Sequence, residues 1–304
     1  MGFEDILGHD KPLKIINAYI EKSSFSGAYI FCGPEGIGKK MTAKLIARKL
    51  NCAEQDIAHP DLHIIEKAES WIKIEDIRDI QRQANLRPYA GAMKIFIIDN
   101  AHKLNPDAAN SLLKVLEEPP KDVLIILITH KPQNIIKTVL SRCKEIKFAP
   151  LARGNLESIL IKNYSLDKST AHFLSFYAEG RIGLALKLKD TPLLRDKNKI
   201  FDSFLSSSKP LDQSIMGQNK EQLHIFLNIL ASCFRDIYLL KSGLPDEEVI
   251  HLDRKNDLLK ESARFSFKQL DDIMAAISES LLYLEKNINS KLLLHNLEVQ
   301  LWKA

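Results

Sequence analysis

Residues Gly33-Pro34-Glu35-Gly36-Ile37-Gly38-Lys39 follow the short apolar run Ala28-Tyr29-Ile30-Phe31. They precede a segment, Lys39 to about Leu50, in which Ala43, Ile46, Ala47 and Leu50 share one helical face. A turn of the form Gly-x-x-x-x-Gly-Lys between a strand and a helix is a phosphate-binding loop. Its glycines let successive backbone N–H groups face an anion at the helix N-terminus. Few folds accommodate it. The strand must feed a covering helix, which calls for a parallel sheet with helices on its faces.

The surrounding chain keeps that alternation. Leu62-His63-Ile64-Ile65, Lys94 to Ile98, Val123 to Ile128 and Glu145-Ile146-Lys147-Phe148 read as further strands. An amphipathic helix runs from Ile74 to about Leu86 and stops before Arg87-Pro88, because the residue preceding proline disfavours helical geometry. Another opens at Asn105-Pro106-Asp107, with proline in its first turn, and ends at Glu117-Glu118-Pro119-Pro120. The pattern predicts a doubly wound α/β domain over residues 1–150. After Ala149-Pro150 the strands cease. Helical segments over about 154–162, 167–178 and 182–188 form a small group assigned to residues 151–207, and Ser206 to Gly217 reads as a linker. Residues 208–304 are predicted to be all helical. Leu223, Phe226, Leu227, Leu230, Phe234 and Ile237 keep helical register, as do Ile273, Ile277, Leu281 and Leu284, and then Leu293, Leu294, Leu297 and Leu301.

The loop lacks the groups that would let it hydrolyse a nucleotide. The residue after Lys39 should be Ser or Thr, whose hydroxyl holds Mg²⁺. It is Lys40. Thr42 cannot replace it, since two residues along a helix is about 200° round the axis. The strand Ile95-Phe96-Ile97-Ile98 ends in Asp99, a metal-side carboxylate in a working site and otherwise a cap or a partner for the loop lysine. Asn100 stands where a water-activating Glu would be, and an amide is a poor proton acceptor. Gly33, Gly36, Gly38, Lys39 and Asp99 are therefore expected to form a degenerate nucleotide site, one that serves as a turn or binds ATP weakly without turnover.

Ser141-Arg142-Cys143 lies just past the fourth strand. A planar, permanently charged guanidinium there suits an arginine finger offered to a neighbouring subunit, although an arginine at a helix end also serves as a cap. Arg78 and Arg82 fall on one helix face, with Lys73 and Arg87 at its margins; the stripe reads as solvated, or as facing a nucleic-acid backbone within a ring. His59 and His63 have helical metal spacing, but Pro60 and the strand at Leu62 argue against a helix, so no metal site is expected. His102 and His130 follow strand ends, within reach of a nucleotide, although surface or capping roles are the expected ones.

Composition excludes several classes. With 304 residues, 45% of them hydrophobic and 27% charged, the chain reads as a soluble protein of two or three domains. A net charge of +4 does not argue for strong DNA binding by this chain alone. Cys32, Cys52, Cys143 and Cys233 are widely spaced, which indicates neither a zinc site nor a disulfide framework. No apolar run of the ~20 residues needed for a membrane helix is expected, nor a signal peptide at the acidic N-terminus, so the expected location is the cytoplasm.

Taken in order, Ile6-Leu7-Gly8-His9-Asp10, the glycine loop, His59-Pro60-Asp61, Leu86-Arg87-Pro88, Ile98-Asp99-Asn100-Ala101-His102, residues 110–120 (Asn-Ser-Leu-Leu-Lys-Val-Leu-Glu-Glu-Pro-Pro), Leu140-Ser141-Arg142-Cys143 and Glu179-Gly180-Arg181-Ile182-Gly183 resemble the AAA+ clamp-loader proteins of bacterial DNA polymerase III. Lys40 and Asn100, where the gamma/tau motors are expected to carry Thr or Ser and Glu, make the resemblance strongest to the delta-prime subunits. The resemblance implies a RecA-like AAA+ core, a helical lid and a C-terminal helical collar for oligomerisation. It implies a non-motor stator within the DNA-directed DNA polymerase III holoenzyme, without polymerase or ATPase activity of its own. Such a stator joins gamma/tau and delta subunits in a hetero-pentamer, donates Arg142 to ATP held by the adjacent gamma/tau subunit, and helps place a sliding clamp on primer-template DNA. No cofactor is required and no membrane is involved. The family's cysteine-rich zinc module is missing, since only Ala53 to Ala58 separate Cys52 from His59, so zinc is not expected. Gly183 takes the place of the arginine with which ATPase relatives sense the γ-phosphate, with Arg181 two residues early. Two alternatives stand beside this reading: an ATP-hydrolysing gamma/tau-type subunit, and an AAA+ adaptor outside the replisome.

Overall fold

Side chains of a strand alternate between faces, and here both faces are apolar. In β1 (Gly27–Cys32), Ala28, Ile30 and Cys32 join one core layer while Tyr29 and Phe31 join the other. β3 (Lys94–Ile98) and β4 (Val123–Thr129) divide in the same way and are buried throughout. That is the signature of a sheet covered on both sides. With β2 (Leu62–Ile65) and the edge strand β5 (Lys144–Lys147), they form a five-stranded sheet in the order β2-β3-β4-β1-β5, with every pairing parallel.

The computed structural model describes residues 8–22, 25–51, 59–67, 70–205, 220–244 and 248–285. Helices α1 (Asp10–Glu21) and α2 (Lys39–Leu50) supply Ile16, Ala43, Ile46 and Ala47 to one layer. Helices α3 (Ile74–Ala84) and α4 (Pro106–Glu117), which pack on each other, supply Ile77, Ile80, Leu112 and Leu116 to the opposite one. The short α5 (Lys137–Leu140) adds Val139 there. The doubly wound core is thus as expected. α3 ends two residues early because the chain that follows is gripped from elsewhere: Tyr89, Ala90 and Gly91 donate their N–H groups to the buried carboxylate of Asp61 at 2.7–2.8 Å.

Beyond β5 come α6 (Arg153–Tyr164), α7 (Lys168–Tyr177), α8 (Ile182–Lys189) and α9 (Leu193–Leu205), then α10 (Lys220–Lys241), α11 (Lys255–Ser262) and α12 (Phe267–Glu285). The chain forms two compact units. One comprises the residues up to Ile159 with Ala178–Leu184, the other Leu160–Tyr177 with the residues from Ala185 onward. In the second, α10 packs against α9, α11 and α12. The Ser206 to Gly217 linker and the Leu293–Leu301 register lie outside the described residues.

Four helices are absent from the sequence reading: α1, the short α5, α9 and α11. In α9 the reason is a charge in the core. Lys197 breaks the apolar register, yet it is buried, with its ammonium 2.6 Å from Asp253 and 5.0 Å from the Phe173 ring centre. The expectation that no apolar run is long enough for a membrane also needs correction. Leu223–Lys241 within α10 is long and apolar enough by composition. Much of its surface is buried inside the helical unit, and it carries the Arg235–Asp236 pair, so it is accounted for as a core helix.

His251 lies wholly buried in this unit. One ring nitrogen bonds the Ser232 hydroxyl at 2.8 Å, and the other has no partner. Burial, reinforced by Lys197 and Arg235, pushes its pKa down to about 3. A base with a depressed folded pKa contributes stability that is complete above its unfolded value of 6.5 and lost as pH falls toward 3. Asp236, which burial raises to about 6, acts in the opposite sense over part of that window. The histidine is isolated by comparing wild type with His251→Phe in urea denaturation. The wild type should lose stability relative to the variant by roughly 1 kcal/mol per pH unit below pH 6.5. Parallel pH profiles would refute this.

Candidate functional site

The glycine loop crosses from the end of β1 to the start of α2, with left-handed φ values of 77° at Gly36 and 98° at Gly38. Its carbonyls are held by the protein's own donors. Lys39 Nζ donates to Gly33 O at 2.6 Å and to Pro34 O at 2.5 Å. Nε2 of the buried His9 lies 2.5 Å from Ile37 O, and Gly183 N donates to Gly36 O at 2.7 Å. Burial pushes the Lys39 ammonium down to about 8, against the pull of Asp99 and Glu35. A Cβ at position 183 would lie 2.8 Å from Gly36 O, so the arginine of ATPase relatives has no room there without displacing the loop.

Opposite the loop, the β2–β3 register pairs Ile65 with Ile98. The next residues, Glu66 and Asp99, therefore emerge side by side at the carboxyl edge of the sheet. Lys40 is ion-paired with both, with its ammonium 3.5 Å from Asp99 Oδ2. The Thr42 hydroxyl donates back to Gly38 O at 3.1 Å. Asn100 has a left-handed φ of 55°, a conformation that Asn tolerates better than most side chains, and its N–H reaches Asp99 Oδ1 at 2.9 Å. Its residue type thus has a backbone reason. Nearby, His102 and His130 meet edge-on with ring centres 4.4 Å apart, and His102 Nδ1 bonds the Thr129 hydroxyl at 3.3 Å. Burial lowers the pKa of both. Of the surface or capping roles expected for His102, the surface one does not hold, since the residue is buried.

A metal-bound nucleotide is what this fold implies, and the residues present do not fit the metal. Mg²⁺ demands oxygen ligands in near-octahedral array. Here the hydroxyl position carries an ammonium that is already ion-paired with both carboxylates.

Arg142 lies outside this pocket. It follows α5, where its Nη1 caps the helix by donating to Thr138 O at 2.9 Å, and its Nη2 lies 2.7 Å from Glu117 Oε1 at the end of α4. The side chain is 34% exposed. Arg78 and Arg82 are on the exposed face of α3, opposite Ile77 and Ile80, with Arg82 paired to Asp79.

The sequence family described as DNA polymerase III, delta subunit, matches residues 8–152, and that described as its C-terminal part matches residues 199–301. DNA polymerase III subunit delta' of Bacillus subtilis is 28% identical over 96% of this chain and 95% of its own length. The chain belongs to the delta-prime family of clamp-loader subunits. DNA polymerase III subunit tau of B. subtilis is 30% identical to this delta-prime family member, over 73% of the chain but only 43% of tau. A gamma-subunit-related protein from Thermotoga maritima superposes with a TM-score of 0.49 at 18% identity, covering 96% of this chain and 99% of its own; the fold is better read from the sheet itself.

In this delta-prime family member, Asp99 stands beside the helix that follows the glycine loop, ion-paired with Lys40. Sequence reasoning offered a cap or the loop lysine Lys39 as the role of Asp99; the carboxylate accepts the Asn100 N–H of the following segment, and its ion pair is with Lys40. It missed Glu66, Glu117 and the loop clamp of Asp61. Only strand register could have signalled Glu66, and that requires knowing that β2 and β3 are neighbours.

Proposed function

We propose that this chain is the non-motor stator of a clamp loader, a delta-prime subunit that lends Arg142 to ATP bound by an adjacent gamma/tau subunit. One observation carries the reading: the guanidinium is held at the surface by Glu117 and Thr138, away from the chain's own phosphate loop. A planar cation presented outward is matched to the charge that develops during phosphoryl transfer on a neighbour. The pocket around Lys39 serves as a turn, with ATP bound weakly at most and no turnover. The partners are gamma/tau and delta subunits in a hetero-pentamer, a sliding clamp, and primer-template DNA. Arg78 and Arg82 face that DNA, and the C-terminal helices form the collar. The setting is the cytoplasm.

The matches to tau subunits favour a second reading, a motor of the gamma/tau type. Lys40 and Asn100 weigh against it. Reconstitution separates the two. The purified chain should show no magnesium-dependent ATP turnover, and adding it to gamma/tau and delta subunits should raise DNA-stimulated hydrolysis. Brisk turnover by the chain alone, abolished by Lys39→Ala, would establish the motor. Failure to assemble with gamma/tau and delta would point to an adaptor outside the replisome.

A further inference from the structure

We propose that Lys40 is a resident cation, whose ammonium occupies the place between α2 and the carboxylates of Asp99 and Glu66 that a divalent ion fills in a hydrolysing P-loop, so that this site excludes divalent metal. The inference deepens the non-motor reading of the pocket, but it does not involve Arg142.

The observations are local and independent of one another. Two carboxylates leave adjacent strands at neighbouring positions, fixed by the Ile65–Ile98 pairing, and like charges so placed need a counter-charge. Lys40 stands in the first turn of α2, beside Lys39 and without an acidic residue in that turn. Two lysines at the positive end of a helix oppose its dipole, so local chemistry disfavours this arrangement. The long-range pairing to Asp99 and Glu66 compensates for it. The alternative oxygen donor, Thr42, is turned to Gly38 O. Asp99 is only 15% exposed, and its other oxygen accepts the Asn100 N–H. A divalent ion arriving here would meet an ammonium with the carboxylates already engaged.

Mn²⁺ alone, followed by electron paramagnetic resonance on the full chain, tests the proposal. Wild type should show no Mn²⁺ binding that Asp99→Asn removes. Lys40→Ser should gain one site, at least about ten-fold tighter than any in wild type, and Lys40→Ser/Asp99→Asn should lose it again. In chelator, Lys40→Ser should melt below wild type, because the carboxylates are left facing each other, and Mn²⁺ should restore the melting temperature. The double variant should not respond. Lys40→Gln, which keeps most of the stem, replaces Lys40→Ser if that variant fails to fold. Asp99-dependent Mn²⁺ binding by wild type would overturn the proposal, as would a folded Lys40 variant that gains no site. Because no partner subunit is present, the outcome is separate from the fate of the stator reading.

Discussion

Arg142→Ala is expected to leave assembly of the reconstituted complex unchanged and to lower ATP turnover at the site the arginine faces by about 10³-fold, the lower end of what arginine fingers supply. The contacts Arg142 makes within its own chain are too weak to mask this. An ion pair whose side chains are 34% and 50% exposed contributes about 1 kcal/mol or less, and the bond to Thr138 O caps only a four-residue helix. The melting temperature of the isolated variant should therefore stay close to wild type, which separates loss of catalysis from loss of fold. Arg142→Lys should recover little, since an ammonium cannot meet two phosphate oxygens as a planar fork does. Steady-state hydrolysis and clamp loading by the complex, with each variant replacing wild type, provide the measurement. Unchanged activity with Arg142→Ala would remove the arginine from the mechanism.

The largest loss of stability is expected from Asp61→Ala. Asp61 is fully buried, and its two carboxylate oxygens accept the N–H groups of Tyr89, Ala90 and Gly91. Burial works to raise the carboxyl's pKa, but the three N–H bonds, helped by His59, hold it below the usual carboxylate value. Removing the acceptor strands three backbone donors at roughly 1–3 kcal/mol each, reduced where the loop opens to water, for a total of about 3–4 kcal/mol. Asp61→Asn should cost less, because one acceptor oxygen survives. For a group with a depressed carboxylate pKa, this stabilisation is complete above the unfolded value of 3.8 and is lost as pH falls below it through the folded pKa. Denaturant titration at neutral pH decides the point: a loss under 1 kcal/mol would mean that the loop from Leu86 to Gly91 is not held by this clamp.

Much of the core was readable because its signals are local. Strand ends fell within a residue or two, since apolar runs and glycine or proline punctuation depend on near neighbours. α4 begins at Pro106 as anticipated, with the Asn105 side chain accepting Ala108 N–H as its cap. The His-Pro-Asp and Leu-Arg-Pro segments were visible as motifs, but not the clamp in which Asp61 holds the three residues that follow Pro88. α9 stayed hidden because a buried lysine looks like a surface residue until Asp253 is brought to it. Asn100, taken as a missing base, also proves to be a turn residue.

The sequence by itself determined the alternation of strands and helices, the position of the phosphate loop, and the loss of its metal hydroxyl at Lys40. These follow from residue type and spacing along the chain. Only the tertiary structure decided where the freed charges go: Lys40 to Glu66 and Asp99, Lys39 to Gly33 and Pro34, Arg142 to Glu117. Charged side chains choose partners by distance in space, and strand order and register set those distances for residues far apart in the chain.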